Sequence, residues 1–324
     1  MVPTDRRASW LAWAALLVIY LVWGSTYLAI RVTVRTLPPL MTAGARFFIA
    51  GAITYAALRL LRGRGGVRVG RREVAACAAI GTALLLGGVG LVSIAEQDVP
   101  SALAALIIAS VPLWVVVLRS VFGDRVGWPT LLGVLVGFIG VAILVMPGER
   151  PDRAPLPGML LLVGAAASWA MGSFFSRRVP LPKDPFVSTA LQQITGGVVI
   201  LLVSLVTGEM FDFRPAQVSA ESAVGFSYLV IFGSLLAFTA YTWLLQNAPI
   251  QRVATYAYVN PVVAIVLGWL ILSEEITGTI LVGAAVIVSS VAFIVRRESA
   301  PAPQKEPGPA STATVVDSSS RPGR

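Results

Sequence analysis

Ten apolar runs of membrane-spanning length divide the sequence, and they limit its fold more than any other feature. A helix needs about 20 predominantly apolar residues to cross the hydrocarbon core of a bilayer. The runs predict ten transmembrane helices, labelled α1 to α10, at residues 10–31, 40–61, 73–95, 99–121, 127–146, 157–177, 186–207, 222–245, 252–272 and 276–295. Only 13% of the residues are charged, and we therefore expect an all-α integral membrane protein embedded in a lipid bilayer.

The basic residues behind the net charge of +9 are distributed as this topology predicts. With the N-terminus inside, the inner segments hold most of the arginines and lysines, which is the positive-inside bias of membrane proteins. A nucleic-acid surface would need basic residues gathered on one folded face. We therefore expect a bacterial inner (plasma) membrane protein without a nucleic-acid partner. Both ends, residues 1–9 and the disordered tail 296–324, are predicted to be cytoplasmic.

Residue types that are scarce in the sequence exclude several chemistries. There is no histidine and one cysteine, Cys77, which excludes histidine-based metal sites, Ser–His–Asp triads and disulfides within the chain. Neither Lys183 nor Lys305 follows a glycine, so the sequence has no P-loop for ATP. The predicted helices also contain no aspartate. We therefore expect no enzyme activity, no cofactor and no metal.

An internal repeat divides the chain into two halves. Gln97-Asp98-Val99-Pro100, followed by Pro112, recurs 149 residues later as Gln246-Asn247-Ala248-Pro249, followed by Pro261. Each half holds five helices, an odd number, so the second half must enter the membrane inverted. We predict repeats at 10–146 and 157–295, joined by an external linker at 147–156. Inverted repeats are the architecture of secondary transporters, whose substrate sites lie between the halves.

The matched prolines, Pro112 and Pro261, are predicted to interrupt α4 and α9. Proline has no N–H and clashes with the carbonyl four residues before it, which here belongs to Ile108 or Ala257. In a membrane such a break is tolerated where neighbours or cavity water satisfy the freed groups. We interpret the two prolines as hinges beside a cavity; a packing kink is the alternative.

Few charged groups lie in or near the spans. Arg46 is the one charge plainly inside a predicted helix, and an ion pair with Glu96 or Asp98 is the interpretation that the sequence favours. Glu96 is the best carboxylate for proton coupling, but a solvated position at the interface is the interpretation that the sequence favours. Glu274-Glu275 is predicted to lie in a solvated loop.

Aromatic and hydroxyl side chains in matched helices suggest a substrate cavity. Trp and Tyr near membrane interfaces usually belong to the aromatic belt, but several of these residues fall near the middle of their helices. The candidate lining residues are Trp23, Thr26, Tyr27, Trp169, Ser173, Tyr241, Tyr256 and Asn260. Gly133, Gly137 and Gly140 share one face of α5, which predicts close helix packing within the protomer or at a homodimer contact.

Several motifs in order resemble the EamA family of drug/metabolite transporters, and most closely its YedA-like exporters. They are Trp23-Gly24-Ser25-Thr26-Tyr27, Pro38-Pro39-Leu40-Met41 leading to Arg46-Phe47, Ala95-Glu96 before Val99-Pro100-Ser101, and Tyr256 to Val263. The resemblance spans about residues 13–295. It implies two inverted five-helix EamA repeats, cytoplasmic termini, and a central cavity formed mainly by α1, α3, α4, α6, α8 and α9. It also implies export of small metabolites or amino-acid-like compounds.

Together these features predict that the protein is a secondary transporter of small organic metabolites, amino-acid-like compounds or drugs. We expect it to export them by alternating access. A passive channel or facilitator is the alternative, and an integral-membrane enzyme is a weaker one. Proton coupling and a homodimer are further hypotheses.

Overall fold

The computed structural model describes residues 6–62, 69–145, 154–248, 253 and 255–298. Within these ranges nine helices are long and apolar enough to cross a membrane, and a tenth, α9, has 17 residues. The helices are α1 Arg6–Thr33, α2 Pro39–Arg62, α3 Arg71–Ala95, α4 Ser101–Val121, α5 Trp128–Val145, α6 Leu156–Phe175, α7 Pro185–Val206, α8 Ala220–Leu244, α9 Tyr256–Leu272 and α10 Gly278–Glu298. The predicted all-α membrane fold is confirmed. Pro249, most of the predicted linker and most of the tail lie outside the described residues.

The helix bundle has two ends, which we name the Glu96 face and the Arg62 face. The Glu96 face contains the last residues of α1 and α3 and the first residues of α2 and α4. The Arg62 face is the opposite end, where α2 finishes at Arg62.

The helices pair in a way that repeats between the two halves. Helix α2 packs against its counterpart α7, and α5 packs against its counterpart α10. Helix α1 packs against α8 and α9, and in the other half α6 packs in the same way against α3 and α4. This pattern is expected from two inverted five-helix repeats related by a pseudo-two-fold axis.

Glycines allow the two self-matched helix pairs to approach closely. In the α2–α7 pair, a Cβ atom on Gly197 would lie 2.6 Å from the backbone nitrogen of Phe48. In the α5–α10 pair, a Cβ on Gly140 would lie 2.9 Å from Ile287 Cγ1, and one on Gly137 would lie 2.7 Å from Ser290 Oγ. The glycine face of α5 therefore packs within the protomer, which was one of the two predicted uses.

Two π-helical segments occupy corresponding positions in the repeats. They are Thr82–Gly90 within α3 and Leu229–Leu236 within α8. Extended π-helix is rare, and π-bulges are frequent at functional sites. Both segments lie beside the interface between the halves, α3 against α6 and α8 against α1.

The prolines have different effects on their helices. Helix α4 is interrupted before Pro112, because its two parts are Ser101–Ile108 and Val111–Val121. The predicted interruption at Pro261 is wrong, because Tyr256–Leu272 runs through that residue as one helix. Pro261 stands in the second turn of α9, where the missing N–H removes one early hydrogen bond and the fixed φ angle still suits a helix.

Two carboxylates of the second repeat cap helices of the first repeat at the Glu96 face. Glu209 accepts hydrogen bonds from the backbone nitrogens of Leu40 at 2.9 Å and Met41 at 3.0 Å, where α2 begins. Glu274 does the same at the start of α4 and is 7% exposed. The prediction that Glu274 is solvated is therefore wrong, whereas its neighbour Glu275 is exposed.

Candidate functional site

A cavity of about 140 Å³ lies between the two repeats, with walls from α1, α2, α3, α4, α6, α8 and α9. Since one water occupies about 10–15 Å³, the cavity can hold several waters or a small solute. Of the eight predicted lining residues, six line it: Trp23, Thr26, Tyr27, Trp169, Tyr256 and Asn260. Both candidate hinge residues, Pro112 and Pro261, also line it.

Helix periodicity explains how side chains from one helix reach the cavity together. Trp23 and Tyr27 are four residues apart on α1, and Tyr256 and Asn260 are four apart on α9. Residues at this spacing lie on one face of a helix. The packing of α1 against α9 then turns the two faces toward the same space.

An aromatic cluster forms one wall. The Trp23 ring has its centroid 5.3 Å from that of Phe238, 5.1 Å from Tyr241 and 5.3 Å from Tyr256. Tyr241 does not line the cavity itself. Its ring packs against that of Tyr256, which does line the cavity. Such aromatic contacts hold the ring of Trp23 in a defined orientation.

Ser173 does not line the cavity either. It lies one turn beyond Trp169, toward the Arg62 face, where its backbone carbonyl accepts a hydrogen bond from Ser176 Oγ at 2.7 Å. The matched sequence position alone therefore does not bring Ser173 to the site.

Each π segment receives a tryptophan from the opposite half. Trp23 Nε1 donates to the backbone oxygen of Gly233 at 3.3 Å. In the other half, a Cβ on Gly88 would lie 2.7 Å from Trp169 Cε3, so the ring packs directly on the backbone. The two tryptophans thus hold matched positions on opposite sides of the cavity.

Arg46 also lines the cavity, with only 4% of the residue exposed. Its Nε donates to Ser234 Oγ at 2.7 Å, and its guanidinium carbon lies 4.7 Å from the centroid of the Phe47 ring. The predicted ion pair with Glu96 or Asp98 is absent from the described part of the chain. The cause is the rotation of α2, which directs Arg46 at the π segment of α8.

The guanidinium lies close to that segment because Gly233 has no side chain. A Cβ at Gly233 would lie 2.9 Å from Arg46 Nη2. Among the described residues, Ser234 is the one hydrogen-bond partner of the Arg46 side chain, and no carboxylate forms an ion pair with it. The cavity therefore contains a buried cation without a counter-ion in that part of the chain.

Asn260 adds an acceptor to the cavity. The residue is 8% exposed, and its Oδ1 has no hydrogen-bond partner among the described residues. A buried amide oxygen normally has such a partner, so this atom can accept a hydrogen bond from a bound solute.

Glu96 is completely buried, at 0% exposed, so the favoured prediction of a solvated carboxylate is wrong. It follows the last residue of α3, and Arg31 Nη1 donates to its backbone carbonyl. The Tyr27 side chain, which lines the cavity, interacts electrostatically with it. Glu96 therefore lies behind the cavity wall at the Glu96 face.

Sequence reasoning missed three residues that shape the site: Phe47, Phe238 and Ser234. Phe47 had a signal, because it belongs to one of the motifs that resemble the EamA family. Ser234 had none, since a lone serine in an apolar run usually bonds to its own helix.

Comparison with known proteins identifies the family. The sequence profile described as the EamA-like transporter family matches residues 9–146 and 156–296, one match for each repeat. The chain belongs to this family. Membership accounts for the inverted repeats and for the cavity between them.

Named relatives in the EamA-like family are transporters. The chain is 37% identical to "Uncharacterized inner membrane transporter YedA" of Escherichia coli (strain K12), over 86% of this chain and 89% of the relative. It is 26% identical to "Probable amino-acid metabolite efflux pump" of the same organism, over 85% and 91%. A crystal structure that is 23% identical matches with a TM-score of 0.58 over 90% of this chain and 98% of that one. The family and the names of these relatives point to a transporter, and the apolar helices make the chain a multi-pass membrane protein.

Proposed function

We propose that this protein is a secondary transporter that exports small amino-acid-like compounds by alternating access. The observation that carries the proposal is the cavity between the repeats, in which Arg46 is buried without a carboxylate partner among the described residues. Its walls are mostly aromatic and aliphatic. Such a site suits a small amphipathic solute that brings its own negative charge.

Electrostatics favours a carboxylate beside Arg46. Burying an unpaired charge is costly, and a ligand carboxylate would neutralise it. Two unit charges about 4 Å apart attract by about 4 kcal/mol at an effective dielectric constant of about 20. The planar guanidinium also matches a carboxylate in geometry, because its terminal nitrogens can donate two parallel hydrogen bonds.

The cavity also contains groups that complement the positively charged end of such a solute. The unpartnered Oδ1 of Asn260 can accept a hydrogen bond from an ammonium group, and the faces of Trp23 and Tyr256 attract cations. Together with Arg46, these groups would orient an amino acid across the cavity. The name of one relative, "Probable amino-acid metabolite efflux pump", supports this substrate class.

Alternating access is supported by the symmetry of the two halves. Helices α1 and α6 make equivalent contacts with the opposite repeat, so the cavity can be reached from either face when the halves rock. The interruption before Pro112 supplies a place where α4 can bend. Pro261 lacks such an interruption, so we propose Pro112 as the principal hinge.

The arginine distribution supports an inner-membrane location with cytoplasmic termini and a cytoplasmic Arg62 face. Cysteine accessibility in a Cys77→Ala background tests this orientation. A cysteine at exposed Gln97 should react with an impermeant reagent added to intact cells, and one at exposed Arg72 should not. The reverse pattern would show that the orientation is wrong.

Counterflow in proteoliposomes tests the transport function. We expect labelled phenylalanine or leucine to accumulate transiently against internal unlabelled amino acid, with saturable initial rates. Linear, non-saturating flux would favour the channel alternative instead. Proton coupling and a homodimer stay predictions. Arg46 and Glu96 are separate candidates for functional roles and do not form an ion pair.

A further inference from the structure

Two buried carboxyl groups from opposite repeats, Glu96 and Glu274, interact electrostatically at the Glu96 face. Glu274, just after α9, accepts hydrogen bonds from the Ser101 backbone nitrogen at 2.7 Å, from Ser101 Oγ at 2.9 Å and from the Ala102 backbone nitrogen at 3.0 Å. A carboxylate with several such donors at a helix N-terminus is stable in its charged form. These bonds join the α9–α10 loop of the second repeat to α4 of the first.

Glu96 has the opposite environment. Its residue is 0% exposed, and neither carboxyl oxygen has a hydrogen-bond partner among the described residues. The titratable groups near it are Arg31 and Tyr27 on α1 and Glu274 in the α9–α10 loop. Asp98, two residues along its own segment, is exposed.

These surroundings disfavour a negative charge on Glu96. Burial raises the pKa of the Glu96 carboxyl well above its usual range, the Glu274 carboxylate raises it further, and Arg31 lowers it in part. Two carboxyl groups in one buried site do not both ionise readily. The arrangement therefore favours a proton on the buried Glu96 carboxyl.

We propose that Glu96 is a proton-binding site that controls a latch formed by Glu274 and the start of α4. With a proton on Glu96, the α9–α10 loop docks on Ser101 and closes the cavity at the Glu96 face. When that face opens, water reaches Glu96, the proton leaves to that water, and the resulting carboxylate repels Glu274. This inference rests on the alternating access proposed above.

The sign of the pH dependence follows from this linkage. The closed state binds the proton more tightly than the open state, because only the closed state keeps Glu96 from water. Lower pH at the Glu96 face therefore favours the closed state, and higher pH favours the open one.

Distances between two spin labels test the latch without any substrate. The labels are placed at Gln97→Cys and Gly278→Cys in a Cys77→Ala background, on full-length protein in lipid nanodiscs. Both label positions are exposed, and a Cβ on Gly278 meets no atom within 4 Å. We expect a short distance at acid pH and growth of a longer one as the pH rises.

Three variants then identify which carboxyl group causes the pH-dependent change in the distance between the labels. Glu96→Gln should keep the short distance at every pH, because its amide cannot lose a proton. Glu274→Gln should populate the longer distance at every pH, because the latch loses its charged acceptor. Asp98→Asn is the matched control, and it should keep the pH midpoint of the parent.

Three results would overturn the proposal: a pH-independent distance in the parent, an unchanged midpoint in Glu96→Gln, or loss of the titration in Asp98→Asn. A monodisperse elution profile for each variant shows that it is folded. Because the measurement needs no ligand, failure of the latch is distinguishable from failure of amino-acid transport, which counterflow tests.

Discussion

Replacing Arg46 by glutamine should weaken binding of amino acids and leave binding of their amides almost unchanged. The substitution removes the buried cation and keeps a polar side chain at the cavity wall. Hydrogen bonds to charged groups contribute about 1.5–3 kcal/mol, which corresponds to a loss of about ten- to a hundredfold in affinity. An amide ligand has no negative charge, so it gains little from Arg46 in the first place.

The effect on protein stability should be small by comparison. Arg46→Gln loses the hydrogen bond from Nε to Ser234 Oγ, which is 2.7 Å long, and such a bond contributes about 1 kcal/mol. The substitution also removes a desolvated charge that has no ion-pair partner among the described residues, and relief of that cost offsets the loss. We therefore expect a melting temperature close to that of the wild type.

Isothermal titration calorimetry on detergent-solubilised protein provides the measurement. Phenylalanine and phenylalaninamide are titrated into wild type, Arg46→Gln and Ser234→Ala. The ratio of the two affinities should fall in Arg46→Gln and persist in Ser234→Ala, because that variant keeps the charge. If Arg46→Gln weakens both ligands equally, Arg46 positions α8 through Ser234 and does not recognise a carboxylate.

Three other changes have defined outcomes. Pro112→Ala should restore a continuous α4 and slow counterflow more than it weakens binding, whereas Pro261→Ala, within an unbroken helix, should have less effect; equal rates would argue against the hinge. Gly197→Ala should lower the melting temperature, because its Cβ would lie 2.6 Å from a backbone nitrogen, whereas Gly164→Ala, whose nearest atom is 4.0 Å away, should not. Glu96→Gln should flatten the pH dependence of counterflow, and an unchanged pH profile would contradict a role in coupling.

Helix positions were predictable because the bilayer imposes a length on every span. Nine of the predicted segments agree with the structure to within a few residues, and α9 begins at Tyr256 rather than at residue 252. The repeat was also predictable, since paired Gln-[Asp/Asn]-x-Pro motifs stand at the same distance before a second proline in each half. The span length and the proline motifs can both be recognised in short stretches of sequence, because both constrain the backbone.

The site was predictable only in part, because a sequence does not show how each helix is rotated. Tyr256 and Asn260 line the cavity because α9 faces it, and their spacing on one helix face was visible in the sequence. The ion pair predicted for Arg46 failed because α2 turns that side chain toward α8. The contact of Glu274 with Ser101 joins residues 173 apart, for which the sequence carries no short-range signal. The burial of Glu96 likewise depends on how the helices pack.

The two repeats have the same fold but different charges. The cavity is therefore positively charged on one side only. Trp23 and Trp169 pack against matched π segments, so the scaffold is similar on both sides. The cation is not repeated: where α2 has Arg46, α7 has Gln192, whose Nε2 donates to Ser188 Oγ at 2.9 Å within its own helix. A solute with one carboxylate therefore has one favourable orientation in the cavity. Under the proposed alternating access, the symmetric scaffold would open to either face while the single arginine keeps the solute in that orientation.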